Sequence, residues 1–283
     1  RHPHIVDQLI VERAEKLSRS KLWPLYRLGL NRLLDYGKAV RMVNEAGDWR
    51  ARDAMDYISA KLQLTIEMSG IGNIPKQGAC VVCINHPTGI ADGVAVYDAL
   101  KAHRPDVCFF ANADALRLNP HLGDVLIPVE WMEKKKSRAR SRETLKATAA
   151  AFEAERCVVL FPSGRLAYMD SDKQLTEQPW LASVATLPKR YDCPLIPAYL
   201  TSRNSWLYYW FWNVNTELRD MTLFHELLNK KGQTFELQIG EAIAPDSLPQ
   251  DNDLAARLLR LYVTGPFRDG VSWPGWLATN PAA

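Results

Sequence analysis

A chain of 283 residues, 47% apolar and 24% charged, can bury a sizeable core, which excludes disorder as the default and allows one large α/β domain with an added element or two small domains. Its net charge of +3 is too weak to argue for nucleic acid as a partner. No run approaches the roughly 18 uninterrupted apolar residues that a spanning helix needs, and Arg1-His2-Pro3-His4 leads into no apolar core of the signal-peptide kind.

Residues 5 to about 45 read as helical. From Lys21 to Val43, Leu22, Trp23, Leu25, Tyr26, Leu28, Leu30 and Leu34 are interleaved with Lys21, Arg27, Arg32, Lys38 and Arg41, and Pro24 suits a first helical turn. Such a basic amphipathic helix either lies in a membrane interface, drawn to anionic lipid, or docks on the main domain with its basic face in water. Glu45 to Ile58 reads as a further helix with a break at Gly47-Asp48, and Leu62 to Met68 alternates like a half-buried strand. The following loop holds Gly70 and Gly72, but without a third glycine and a helix it is no dinucleotide fingerprint.

Ala79-Cys80-Val81-Val82-Cys83-Ile84 is a run of small apolar residues, the pattern of a fully buried strand. It ends at Asn85-His86, turns through Pro87-Thr88-Gly89, and a helix is expected from Asp92 to His103. Open α/β sheets bind ligands at the carboxyl ends of their strands, so His86 stands where a ligand would sit. Asp92 follows after five intervening residues. A base and its orienting acid in one short loop is a catalytic pair in outline, although a lone histidine there more often just caps a turn. Residues six apart do not share a face of one helix. His86 must therefore lie outside the helix, with the turn folding it back towards Asp92.

The alternation continues. Strands are expected at 107–111, 125–129, 157–161, 194–200 and 234–239. Helices are expected near 114–118, 142–155, 181–191, 220–229 and 251–263, with a strongly basic loop from Glu133 to Arg142. This predicts an α/β fold, a mixed and largely parallel sheet flanked by helices, with an N-terminal helical, membrane-associating element. The expected division is residues 1–60 for that element, 61–265 for a catalytic domain and 266–283 for a C-terminal tail.

Cys80, Cys83, Cys108, Cys157 and Cys193 read as buried free thiols. The CxxC spacing of Cys80 and Cys83 falls on a strand, where residues three apart face opposite sides, so no metal site is expected there. Two aromatic blocks, Trp206 to Trp212 and Trp273 to Trp276, are either core or the half-wet anchors of a peripheral membrane surface. Together with the basic N-terminal helix they favour the surface.

Three strand ends, Asn85-His86, Val129-Glu130 and Phe161-Pro162-Ser163-Gly164-Arg165, now form a constellation. Asn85 to Gly93 resembles the first motif of the glycerolipid acyltransferase superfamily. Ile127-Pro128-Val129-Glu130 resembles its second motif, Phe161-Pro162-Ser163-Gly164 its third and Leu195-Ile196-Pro197-Ala198 its fourth, over roughly Leu62 to Ile243. The order and spacing of the histidine motif and the Phe-Pro-x-Gly motif carry the specificity. Members acting on lysophosphatidate tend to have four residues between His and Asp, a Lys where Asn112 stands, an Arg where Trp131 stands and a Glu where Ser163 stands. Two cations that would serve a phosphate are thus missing. The longer spacing, the Arg104-Pro105-Asp106 stretch, Asn204-Ser205 and Leu237 to Ile243 look more like the hemolysin-like branch, which includes lyso-ornithine-lipid O-acyltransferases.

The resemblance implies a membrane-associated O-acyltransferase that moves a fatty acyl group from a thioester to a lysolipid hydroxyl. His86 is the expected general base and Asp92 its orienting acid. Asn85, Thr88, Gly89, Asn112, Glu130, Ser163, Gly164 and Arg165 are the candidate substrate-binding residues. Backbone N–H groups near Gly164 or in the Pro87-Thr88-Gly89 turn are candidate oxyanion donors. No bound cofactor or metal is expected. Acyl carrier protein or coenzyme A would bring the acyl group, and the basic Lys134 to Arg142 loop would steer an acidic carrier. The expected place is the cytoplasmic face of the inner membrane, as a peripheral protein among membrane lipids. The favoured acceptor is a lyso-aminolipid of ornithine type or a relative of it, with lysophosphatidate as the alternative. A lipid hydrolase is a more distant reading, since no Gly-x-Ser-x-Gly elbow exists, and a non-enzymatic lipid-binding protein is another.

Overall fold

The computed structural model describes residues 3–130 and 135–279. Five helices come first: α1 (Ile5–Arg13), α2 (Glu15–Ser18), α3 (Trp23–Leu33), α4 (Tyr36–Ala46) and α5 (Ala51–Leu62). The alternating part begins with β1 (Thr65–Ser69), β2 (Cys80–Ile84), α6 (Ile90–Leu100), β3 (Cys108–Asn112), α7 (Asp114–Leu118) and β4 (Leu126–Val129). It continues with α8 (Arg138–Glu153), β5 (Cys157–Leu160), the hairpin strands β6 (Tyr168–Met169) and β7 (Leu175–Thr176), α9 (Ser183–Tyr191) and β8 (Leu195–Thr201). Then come α10 (Trp206–Val214), α11 (Thr216–Met221), α12 (Leu223–Leu228), β9 (Thr234–Ile239), α13 (Asn252–Thr264) and α14 (Trp273–Thr279).

The main sheet has seven strands in the order β1-β9-β8-β2-β5-β3-β4. Every neighbouring pair is parallel except β8 with β9, so the sheet is mixed and largely parallel, as its strand–helix alternation predicts. β2 lies centrally and is buried throughout, which is why its sequence is a continuous apolar run instead of an alternating one. Its side chains still divide by period two. Cys80, Val82 and Ile84 join the core on one face, with Ala91, Val94 and Leu100 of α6 and its helix. Val81 and Cys83 join the other, with α8, α9 and α13. The two cysteines of the CxxC spacing therefore face opposite sides of the sheet.

The N-terminal helices lean on this body. Ala14, Leu34 and Met221 form a small buried cluster, with Ile10, Leu17, Trp23, Leu30, Leu207 and Leu218 packed against it. The cluster sets α3 beside α10 and α11. Arg117 of α7 ties down Glu12 of α1 at 2.8 Å, and Lys135 reaches the same carboxylate at 2.5 Å. These two cations hold the Glu12 carboxyl down at about 2. The outer face of α3 is apolar and exposed at Leu22, Leu25, Tyr26 and Leu28, the last 73% accessible.

Several expectations change in detail. The basic segment is not all loop: Ser137 accepts the Arg140 N–H at 3.2 Å and caps α8, so Arg138, Arg140 and Arg142 are helical. Its first residues, and Trp131, lie outside the described residues. The helix expected at 220–229 is two short ones, broken where the buried Thr222 hydroxyl turns back to donate to the Arg219 carbonyl at 2.6 Å. The C-terminal aromatic block is core and not surface: Trp273 is buried and meets Tyr262 of α13 at 5.2 Å between ring centres. The other block, α10, is divided. Tyr208, Tyr209 and Phe211 are buried, whereas Trp206, Trp210 and Val214 line up every fourth residue on an exposed face.

Candidate active site

Because β2, β5, β3, β4 and β8 run the same way, their carboxyl ends share one edge of the sheet. His86 lies just past β2, and Pro162-Ser163 just past the neighbouring β5. Asn112 ends β3 and Glu130 follows β4, two and three strands away from β2, roughly 10 and 14 Å at the usual strand spacing.

The loop after β2 folds back as its spacing demands. Asp92 stands in the first turn of α6, and its side chain is fully buried. Its Oδ2 accepts the Thr88 N–H at 2.8 Å and the Gly89 N–H at 2.9 Å, and lies 2.9 Å from His86 Nδ1. Its Oδ1 accepts the Thr88 hydroxyl. One carboxylate thus caps the helix, closes the turn and fixes the ring. With Nδ1–H donating to Asp92, the other ring nitrogen, Nε2, is the one left to take a proton. Gly89 makes the turn possible with φ of +97°, a region that suits glycine. The imidazole is stacked on Phe161, with ring centres 4.3 Å apart.

The loop after β5 meets the same histidine from the other side. The Ala167 N–H donates to the His86 carbonyl at 2.9 Å. The Ser163 hydroxyl donates to the Arg165 carbonyl at 2.7 Å and lies 3.0 Å from Glu177 Oε1. Glu177, just past β7, also accepts the His86 N–H at 3.2 Å and the Trp180 indole N–H at 3.3 Å. Burial pushes its carboxyl above the usual range, against the opposing pull of His86 and its hydrogen bonds. Neither Glu177 nor the β6–β7 hairpin that delivers it is anticipated by the motifs. The hairpin had a local signal in Asp170, whose carboxylate accepts the N–H groups of Asp172 and Gln174 in a tight turn. Glu177 itself had none.

Of the candidate residues, His86, Asp92, Thr88, Gly89, Ser163, Gly164 and Arg165 gather around this edge. Gly164 and Arg165 are exposed at its mouth. Asn85 is adjacent, but its carboxamide is committed to β8, donating to the Leu200 carbonyl at 3.0 Å and accepting the Leu200 N–H at 2.7 Å. Asn112 accepts the Asp114 N–H at 2.9 Å, and the buried Glu130 pairs with Arg140; neither is brought to His86. The expected oxyanion donors change. The Thr88 and Gly89 N–H groups are taken by Asp92, and Gly164 N–H donates to the Phe161 carbonyl at 2.9 Å. Arg104 stands at the opposite edge of the sheet, where it binds Asp106 and the carbonyls of Pro75 and Glu155.

Behind the site, Glu226 of α12 is fully buried and pairs with Lys230 at 3.0 Å, while accepting the Ser205 N–H at 2.8 Å. This pair holds the loop that follows β8. Among the described residues no three His, Cys, Asp or Glu side chains are grouped to hold a metal ion.

Residues 65–201 match the Acyltransferase family. A lyso-glycine lipid O-acyltransferase of Phocaeicola vulgatus is 25% identical over 252 residues, covering 84% of this chain and 88% of its own. One of Bacteroides thetaiotaomicron is 22% identical over 250 residues, covering 84% and 90%. The crystal structure of the 1-acyl-sn-glycerophosphate acyltransferase PlsC of Thermotoga maritima superposes with a TM-score of 0.47 at 12% identity, over 88% of this chain and 94% of that one.

Proposed function

From the match of residues 65–201 to the Acyltransferase family, we propose that the enzyme esterifies the free hydroxyl of a lyso-aminolipid at a membrane surface. The observation that carries the chemistry is the His86–Asp92 contact of 2.9 Å at the carboxyl end of a buried central strand. His86 Nε2 takes the proton of the acceptor hydroxyl as its oxygen attacks the acyl thioester carbonyl. Asp92 keeps the ring in the productive tautomer and stabilises the imidazolium, a combination worth ~10²–10⁴-fold in rate. The tetrahedral oxyanion forms at the positive end of α6, where the first-turn N–H groups of Ile90 and Ala91 have no intrahelical acceptor. It collapses by breaking the C–S bond, and the imidazolium returns its proton to the departing thiolate.

The acceptor class is supported by the two relatives named as lyso-glycine lipid O-acyltransferases and by the residues at the site. Asn112 and Trp131 bring no charge where members acting on lysophosphatidate tend to carry Lys and Arg, while the exposed Arg165 suits a single carboxylate on an aminolipid head. The donor is an acyl thioester on an anionic carrier, acyl carrier protein or coenzyme A. The basic start of α8, with Arg138 and Arg142 exposed, suits either.

Peripheral attachment is supported by where the apolar surface lies. Among the described residues no helix is long and apolar enough to cross a membrane. Exposed Ile90 and Leu181 flank the His86 and Pro162 loops, and Trp212 of α10 stacks on Tyr168 of the hairpin at 5.8 Å. Trp206 and Trp210 of α10 and Leu25 and Leu28 of α3 add further exposed apolar side chains. Such a surface inserts into the headgroup region and lets a lysolipid reach His86 without leaving the bilayer. We assign this to the cytoplasmic leaflet, where thioester donors are made.

The test is a competition. Purified protein is given equimolar lyso-aminolipid and lysophosphatidate in vesicles with an acyl thioester, and the ester products are separated by mass spectrometry. The proposal expects the aminolipid ester to dominate; faster consumption of lysophosphatidate contradicts it.

A further inference from the structure

We propose that Glu177 is a positioning residue for His86: it holds the histidine's backbone in place and offsets the positive charge the ring acquires as it takes the acceptor's proton. This rests on the reading of His86 as general base. The starting point is an odd burial. Glu177 is 5% exposed, and among the described residues no lysine or arginine side chain meets its carboxylate. Arg260 of α13 reaches only its main-chain carbonyl, at 3.2 Å. A buried carboxylate without a cation is costly, so one is kept where its charge or its geometry is used. Its donors are the Trp180 indole and the His86 backbone N–H, which both of its oxygens face at 3.2 and 3.3 Å, and the Ser163 oxygen lies 3.0 Å from Oε1. The group in this set that changes charge is His86.

The geometry divides the work between two acids. Asp92 approaches from α6 and holds Nδ1 of the ring. Glu177 approaches from the segment after β7 and holds the peptide, whose carbonyl is fixed in turn by Ala167. Phe161 closes one face of the imidazole. The remaining groups that face Glu177 are Tyr199 of β8, whose hydroxyl burial keeps neutral, and Arg260. With water excluded from the carboxylate, its field on the ring is weakly screened. Negative charge there favours imidazolium over imidazole. Glu177 thereby stabilises the charge that His86 acquires and lowers the barrier to proton abstraction without touching substrate.

The test needs no substrate for its main readout. In the full-length protein labelled with ¹⁵N-histidine, the His86 signal is identified by its loss in His86→Gln and titrated in wild type, Glu177→Gln and Glu177→Asp. Glu177→Gln is expected to move the His86 titration to lower pH by roughly 0.5–1 unit. It should also lower kcat about 10-fold or more, with KM within about twofold. Glu177→Asp keeps the charge and should restore most of both effects. An unmoved His86 titration in Glu177→Gln overturns the proposal, whatever happens to turnover or melting temperature, because a purely structural glutamate would leave it unmoved. Failure of the acyl-transfer reading shows separately, as full turnover in His86→Ala.

Discussion

As the proposed general base, the imidazole at position 86 needs one nitrogen tied and the other open, and Asp92 lies 2.9 Å from Nδ1. Asp92→Asn keeps the shape of the cap, but its amide can present an N–H to Nδ1 and favour the wrong tautomer. It is expected to lower kcat by ~10²–10⁴-fold while circular dichroism stays unchanged; a mutant within a few-fold of wild type would remove Asp92 from the mechanism. Gly89 supports the same geometry through its backbone. A Cβ there would lie 3.2 Å from Leu166 Cδ2 at a φ of +97°. Gly89→Ala should therefore cost about 1–3 kcal/mol in thermal or urea unfolding. A melting temperature equal to wild type would show the turn is not strained by a side chain.

Single helices carry the next tier of claims. Glu226 of α12 and Lys230 just past it have no access to water on either side chain beyond 1%, so breaking the pair leaves a buried charge alone. Lys230→Met is expected to lose about 3–5 kcal/mol in equilibrium unfolding. The docking of α1 has a pH signature. Glu12 ionises at about 2 in the fold against an ordinary 4.5. A depressed carboxyl stabilises the fold above its unfolded pKa, and that contribution is lost as pH falls from about 4.5 towards 2. The group is partly exposed, so ~1 kcal/mol is at stake. Glu12→Gln should flatten wild-type acid destabilisation in that window, and identical acid curves would refute the role of the ion pair. On α10, Trp206→Ala with Trp210→Ala should cut binding to anionic vesicles by about 10-fold or more without lowering melting temperature; unchanged vesicle binding would move the membrane contact elsewhere. Element placement was legible wherever burial was uniform. β2 reads from its apolar run, and α6 from the turn before it. It was illegible where short polar hydrogen bonds decide: Thr222 splits α11 from α12, and Ser137 starts α8 inside a basic stretch. The Trp273 block could not be sorted from the Trp206 block by composition, because what separates them is Tyr262 of α13, distant in sequence.

In the whole molecule, strand order does what local sequence cannot. The alternation of strands and helices made an α/β sheet legible, and the motifs at the ends of β2 and β5 named most of the residues that gather around His86. The order β2-β5-β3-β4 then decides which of them meet. It puts Ser163 beside His86 and leaves Asn112 and Glu130 further along the rim. Glu177 was beyond sequence reasoning for the same reason: no spacing links it to position 86, and only the hairpin after β5 delivers it there. The proposed function has lysolipid meet His86 at a bilayer boundary, beside the exposed Ile90 and Leu181 that flank the His86 and Pro162 loops. The most direct test is quantitative mass spectrometry of the O-acylated product when purified full-length protein is mixed with a lyso-aminolipid in vesicles and an acyl thioester. The expected result is ester formation by wild type and a fall of about 10³-fold or more in His86→Ala. Ester formed at equal rates by both proteins, or free fatty acid with no ester, would contradict the account.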